Sequence, residues 1–68
     1  MIINNVSTII GKNKATIAEI ARLAGLKYNT VHDLYYDKTS GIQFDTLDKL
    51  CFALNCEPGD LLRYKENK

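Results

Sequence analysis

Five polar side chains crowd one short stretch of the chain: Tyr28, Asn29, Thr30, His32 and Asp33. Together they offer the hydrogen-bonding types that suit nucleobase edges. A carboxamide such as Asn29 can pair bidentately with adenine, or give a single hydrogen bond to a phosphate. Tyr28 and Thr30 suit a thymine methyl or a phosphate, and His32 can donate to guanine. Asp33 accepts from cytosine, or repels the phosphate backbone and so acts against wrong sequences. The same residues would serve equally as a plain solvated helix face, so their types alone decide nothing.

Other chemistries find fewer parts. His32 is the one histidine, Ser7 and Ser40 have no base near them in sequence, and neither a Gly-rich phosphate cradle nor a pair of cleft carboxylates is visible. The chain is therefore expected not to be an enzyme and to have no catalytic residues. Cys51 and Cys56 stand five apart, which matches no Cys-x-x-Cys spacing, so they are expected to be reduced packing residues with no metal and no cofactor. No small-molecule ligand is evident. No apolar run approaches the roughly 18 residues of a membrane span, and the opening Met-Ile-Ile-Asn-Asn has neither a basic segment nor a long apolar one. A cytoplasmic protein with no membrane partner is the expectation.

The elements that must position the polar stretch follow from apolar spacing. Ile2, Val6, Ile9 and Ile10 share one helical face, and Gly11 is placed to end that helix. Thr16 followed by Glu19 predicts a capping box opening a second helix, with Ile17, Ile20, Ala21 and Ala24 on its inner face and Gly25 at its end. Tyr28 to Tyr36 forms a third helix through Val31, Leu34 and Tyr35. Residues 37–41 read as a loop. Asp45 is expected to cap a fourth helix with Leu47, Leu50, Cys51 and Leu54 inside and Asn55 closing it. Pro58 suits the first position of a short fifth helix, from which Leu61 and Leu62 fold back on the core. No β-hairpin pattern is found. The fold predicted is all-α: residues 1–68 form a single five-helix domain with a central helix-turn-helix, and 65–68 form a frayed tail.

The informative unit is residues 16–36, two short helices around Gly25 with the small Ala21 four residues before it. A glycine permits the sharp turn, and an alanine lets the second helix come close to the first. Thr16-Ile17-Ala18-Glu19-Ile20-Ala21, Gly25-Leu26, Asn29-Thr30-Val31 and Leu34-Tyr35 resemble the Cro/cI-type (Xre) helix-turn-helix family of lambda-repressor-like DNA-binding domains. Asp45 to Cys51, Ala53 to Cys56 and Pro58 to Leu62 are similar to the second half of compact members, so the resemblance covers essentially the whole chain.

The resemblance implies that helix 28–36 is the recognition helix, entering the major groove of double-stranded DNA by its N-terminal end. It makes Tyr28, Asn29, Thr30, His32 and Asp33 the candidates for base contact. Thr16 with the free amides beside it, Lys27 at the helix start, Tyr36, and Lys38 with Thr39 in the following loop are the candidates for phosphate contact. It also implies a homodimer on an inverted-repeat operator with half-sites about one helical turn apart, and a transcriptional regulator, with repression by occlusion the simpler mechanism for so short a chain. The dimer surface is expected around Leu61, Leu62 and Tyr64, although those residues could instead close the core.

Two departures stand out: the family often has Gln where Ile17 stands and Ser where Lys27 stands, so one phosphate contact and the usual cap of the recognition helix are missing. Charge is also modest. Lys12, Lys14, Arg22, Lys27 and Lys38 against Glu19, Asp33 and Asp37 leave residues 12–39 at +2, while residues 40–68 carry −1, for a net +1 overall. A second reading therefore stays open, in which a helix-turn-helix scaffold binds another regulator through Tyr28, Tyr35 and Tyr36 and never touches DNA.

Overall fold

β-branched Ile2 and Ile3 favour extended backbone, and the two ends of the chain use it to find each other. β1 (Ile2–Asn4) pairs antiparallel with β2 (Leu62–Tyr64), Ile2 opposite Tyr64 and Asn4 opposite Leu62. Backbone bonds prolong the ladder on both sides: the Lys65 amide donates to the Met1 carbonyl at 2.8 Å, and the Asn5 amide to the Leu61 carbonyl at 2.7 Å. Between the strands run α1 (Val6–Lys12), α2 (Ile17–Ala24), α3 (Tyr28–Tyr35), α4 (Phe44–Leu54) and α5 (Pro58–Leu61). The structure, a computed structural model, describes residues 1–66.

Five helices are present, as expected, and the fold is mostly helical, but a small two-stranded sheet makes all-α only an approximation. The sheet pairs the two chain ends, which leaves no hairpin signal between neighbouring segments. It also pins Lys65, expected to fray, to Met1 through hydrogen bonds in both directions, 2.8 Å and 2.6 Å. Asn67 and Lys68 of that expected tail lie outside the described residues. Ile2 belongs to the strand, not the first helix. The break falls at Asn4, whose side-chain oxygen accepts from the Val6 amide at 2.9 Å and so opens α1 four residues later than the apolar spacing suggests.

Gly11, expected to end α1, lies within it. The left-handed residue is Lys14, at φ 53°. α1 shares this ending with three other helices: Lys14, Gly25, Asp37 and Asn55 all have positive φ, from 51° to 69°. In each case the next amide reaches back to the carbonyl five residues earlier, Ala15 to Ile10, Leu26 to Ala21, Lys38 to Asp33 and Cys56 to Cys51, at 2.8–3.2 Å. This is the Schellman arrangement, which satisfies the last carbonyls of a helix and turns the chain back over it.

α4 starts at Phe44 with Gln43 as its cap residue, two residues ahead of the expected Asp45 cap. Asp45 lies in the first turn, where a negative charge suits the helix dipole, and meets Lys49 one turn on at 3.2 Å. The core gathers Val6 and Ile10 of α1, Ile20 and Ala21 of α2, Val31 and Leu34 of α3, Leu50 and Leu54 of α4 and Leu61 of α5. Val6, Val31, Leu50 and Leu61 are wholly buried, each burial stabilising the fold by about 1.5–3 kcal/mol. The apolar faces read from spacing thus meet in one place. Leu61 closes that core and is not available to a dimer surface; Leu62 is half-buried and Tyr64 exposed.

Candidate nucleic-acid interface

The candidate interface is built on α2, the turn at Gly25 and α3. Thr16 caps α2: its hydroxyl accepts from the Glu19 amide at 3.1 Å, and the Glu19 carboxylate accepts from the Thr16 amide at 2.8 Å. The box fixes where α2 begins and leaves the Ile17 and Ala18 amides, which no helical carbonyl can reach, open to an acceptor from outside. Ile17 itself is half-buried and packs against the core. That is a physical reason for an apolar residue where the resembling family often has Gln.

Gly25 turns the chain at φ 69°, and the Ala21 carbonyl, deep between the two helices, takes the Leu26 amide at 2.9 Å. Ala21 and Ala24 are both buried, and side chains this small let the two helices approach closely. With Ile20, Val31 and Leu34 behind it, α3 is held by its inner side and carries its polar side outward. Lys27 occupies the cap position of α3 in extended conformation and makes no side-chain capping bond. The Tyr28 and Asn29 amides therefore have no helical carbonyl to meet, while the Thr30 amide donates to the Lys27 carbonyl at 3.1 Å, and the cationic Lys27 side chain is exposed beside them.

The five base-contact candidates do not present themselves equally. Tyr28 and Asn29, in the first turn, are exposed, whereas Thr30, His32 and Asp33 are half-buried. His32 lies between two tyrosine rings, 5.9 Å from Tyr28 and 4.8 Å from Tyr36, with its Nδ1 3.2 Å from a carboxylate oxygen of Asp33. An external partner at Nδ1 or at that carboxylate oxygen must compete with the Asp33–His32 contact, which uses one nitrogen of the imidazole and one oxygen of the carboxylate. Tyr36 ends the same row and is exposed. Tyr35, which the second reading takes as a contact residue for another protein, is half-buried and packed on the core, because its helical position falls beside Val31 and Leu34.

Past α3 the chain reverses at Asp37, and the Lys38 amide is fixed by the Asp33 carbonyl at 2.8 Å, leaving the Lys38 side chain exposed at the end of the helix. Thr39 lines a shallow groove with Thr30 and Asp33 of α3, Gln43, and Thr46 of α4. Gln43 and Thr46 were not singled out from the sequence. Their signal was available, since a polar residue just before a helix and another in its first turn mark a second helix start aimed at the same groove.

One further residue matters to the site. Asn4, from β1, donates through its side-chain nitrogen to the Leu34 carbonyl at 2.8 Å and more weakly to Asp37 at 3.4 Å, so it clamps the C-terminal end of α3 from thirty residues away. No local pattern could reveal that role.

Among the described residues no set of three or more metal-ligating side chains comes together, and no helix is long and apolar enough to cross a membrane. The arrangement is a rigid helix offering hydrogen-bonding groups outward, flanked by open helix starts and two lysines, which is a surface able to meet a polyanion and read along it.

Known proteins agree with this reading. The sequence model of the Cro/C1-type HTH DNA-binding domain matches residues 5–67. The uncharacterised HTH-type transcriptional regulator YozG of Bacillus subtilis is 31% identical over 67 residues, which span 98% of this chain and 80% of that protein. A candidate DNA-binding protein from Bacteroides fragilis, known from its crystal structure, superposes with a TM-score of 0.79 at 24% identity, over 93% of this chain and 100% of that one. That last likeness concerns the fold.

Proposed function

The chain belongs to the Cro/C1-type helix-turn-helix DNA-binding family, and we propose that it is a sequence-specific regulator of transcription that inserts α3 into the major groove and represses by occlusion. The observation that carries the proposal is the locked α2–Gly25–α3 unit. Gly25, Ala21 and the core behind α3 leave Tyr28 and Asn29 as the most exposed side chains of its first turn.

In this reading Tyr28 and Asn29 make the main base contacts, with Thr30, His32 and Asp33 behind them. Asn29 supplies the bidentate group suited to adenine. The His32–Asp33 contact presents the imidazole and carboxylate as one unit, so these two tune selectivity more than they add affinity. Thr16 and the open amides of α2 hold one backbone strand, and Lys27, Tyr36, Lys38 and Thr39 hold phosphates around α3. Two copies bind an inverted repeat with half-sites about one helical turn, roughly 34 Å, apart. Residues 1–68 act as one domain in this scheme.

Selection from randomised duplex DNA, first at low and then at physiological salt, tests the proposal. Enrichment of an inverted repeat is the expected result. Sequence-blind or absent binding would favour the second reading, a scaffold that binds another protein, and the DNA-reading roles assigned here would be withdrawn.

A further inference from the structure

Cys51 and Cys56 lack any familiar redox or metal spacing, yet the fold brings them together. Cys51 lies in the last turn of α4, and Cys56 is the first residue past the left-handed Asn55. The Schellman turn closes the gap: the Cys56 amide donates to the Cys51 carbonyl at 3.1 Å. Side chains at these two positions of the motif characteristically meet over the helix end. Here both are free thiols, both half-buried against the core, and near enough to influence each other's ionisation. An interval of five residues thus brings the two side chains to the same helix end.

We propose that Cys51 and Cys56 form a dithiol that closes reversibly to an intramolecular disulfide, by exchange with a low-molecular-weight disulfide of the glutathione class. The steps balance. One protein thiolate attacks the small disulfide, breaking its S–S bond, forming a mixed disulfide and releasing one small thiol. The second protein thiol loses its proton and attacks the protein-side sulfur of that mixed disulfide, which releases the second small thiol. One S–S bond is made and one broken, and the two hydrogens of the protein thiols end on the two small thiols.

The fold sets both the ease and the pace of closure. Because α4 and its Schellman turn hold the thiols side by side, the folded chain has a higher effective concentration of one thiol at the other than the unfolded chain has. Burial pushes both thiols up, a rise that the hydrogen bond with Cys56 partly offsets at Cys51 and that the neighbouring Cys51 strengthens at Cys56; Glu57 and Asp60 add to it at both thiols and Asp48 at Cys51. Since the thiolate is the nucleophile, exchange at neutral pH is slow. None of the residues proposed for DNA contact belongs to this turn. Closure therefore acts on the persistence of the folded chain rather than on base reading.

The test is equilibration of the whole protein with mixtures of reduced and oxidised glutathione, followed by acid quench and intact-mass analysis, with and without urea. The expected product is a monomer lighter by two hydrogens, absent from Cys51→Ser and Cys56→Ser. Its apparent equilibrium constant should be higher for the folded than for the urea-unfolded chain by about tenfold or more. By closure of the thermodynamic cycle, the folding equilibrium constant of the oxidised protein must rise by the same factor. A mixed disulfide or a covalent dimer as the end product would overturn the proposal. So would closure no more favourable in the folded chain than in urea, because the turn would then be holding the thiols apart.

Discussion

Asn4→Ala isolates the clamp between the chain terminus and α3. The side chain makes two short hydrogen bonds, to the Leu34 carbonyl at 2.8 Å and from the Val6 amide at 2.9 Å, in a partly buried setting. The two losses are unequal. The Leu34 carbonyl still has the Asp37 amide at 3.2 Å, so it loses one of two donors. The Val6 amide, at the start of a helix whose first residue is wholly buried, loses its side-chain acceptor. Taking about 0.5–1.5 kcal/mol for the first loss and about 1–3 kcal/mol for a stranded amide, a destabilisation of about 3 kcal/mol is expected. For a domain of this size that is a fall in melting temperature of about 12–24 °C, read by circular dichroism. Asn4→Asp sharpens the test. It keeps the acceptor for Val6 but sets a carboxylate against the Leu34 carbonyl and Asp37. That environment raises the new carboxyl above its unfolded value, so stability relative to the wild type should recover as pH falls through the carboxylate range and be lost as pH rises through it. A loss below about 0.5 kcal/mol for Asn4→Ala, or no pH dependence for Asn4→Asp, would refute the clamp.

The remaining predictions concern DNA, helix ends and thiols. Asn29→Ala should weaken binding to a selected operator by about 1–3 kcal/mol and relax preference at one base position; equal loss on every sequence would instead mark Asn29 as a phosphate contact. Lys38→Ala should lower the slope of log affinity against log salt by about one unit, and an unchanged slope would remove Lys38 from the interface. Lys14→Gly should stabilise the fold by about 0.5–1 kcal/mol and Asn55→Gly by less, because a left-handed lysine is strained while asparagine tolerates that conformation. Denaturant midpoints in the reverse order would count against strain at Lys14. The rate of alkylation of Cys51 and Cys56 should rise with pH along a curve displaced upward from that of the urea-unfolded chain, since burial raises both thiols; coincident curves would show that the turn leaves them solvated.

What was legible in the sequence is what local chemistry and periodicity can encode. The capping box at Thr16 and Glu19, the turn at Gly25, the inner faces of α2 to α4, the left-handed Asn55 and Pro58 at the start of α5 each depend on residues within a few positions of one another, and each stands where the pattern placed it. The errors share a different origin. Ile2 and Tyr64 pair across almost the entire chain, and the three-residue strands they belong to carry no turn between them that a sequence pattern could display. Gly11 misled because glycine is the usual left-handed residue, whereas this chain places lysine, aspartate and asparagine in that role at three of four helix ends. The candidate site divides along the same line. Which residues face outward on α3 follows from helical geometry around Val31 and Leu34. How free they are does not: His32 is flanked by Tyr28 and Tyr36 and touches Asp33, and the end of α3 is held by Asn4 from another element. The stability of the candidate interface is thus tied to the terminal sheet. A substitution there that touches no DNA should still alter binding, through the seating of α3.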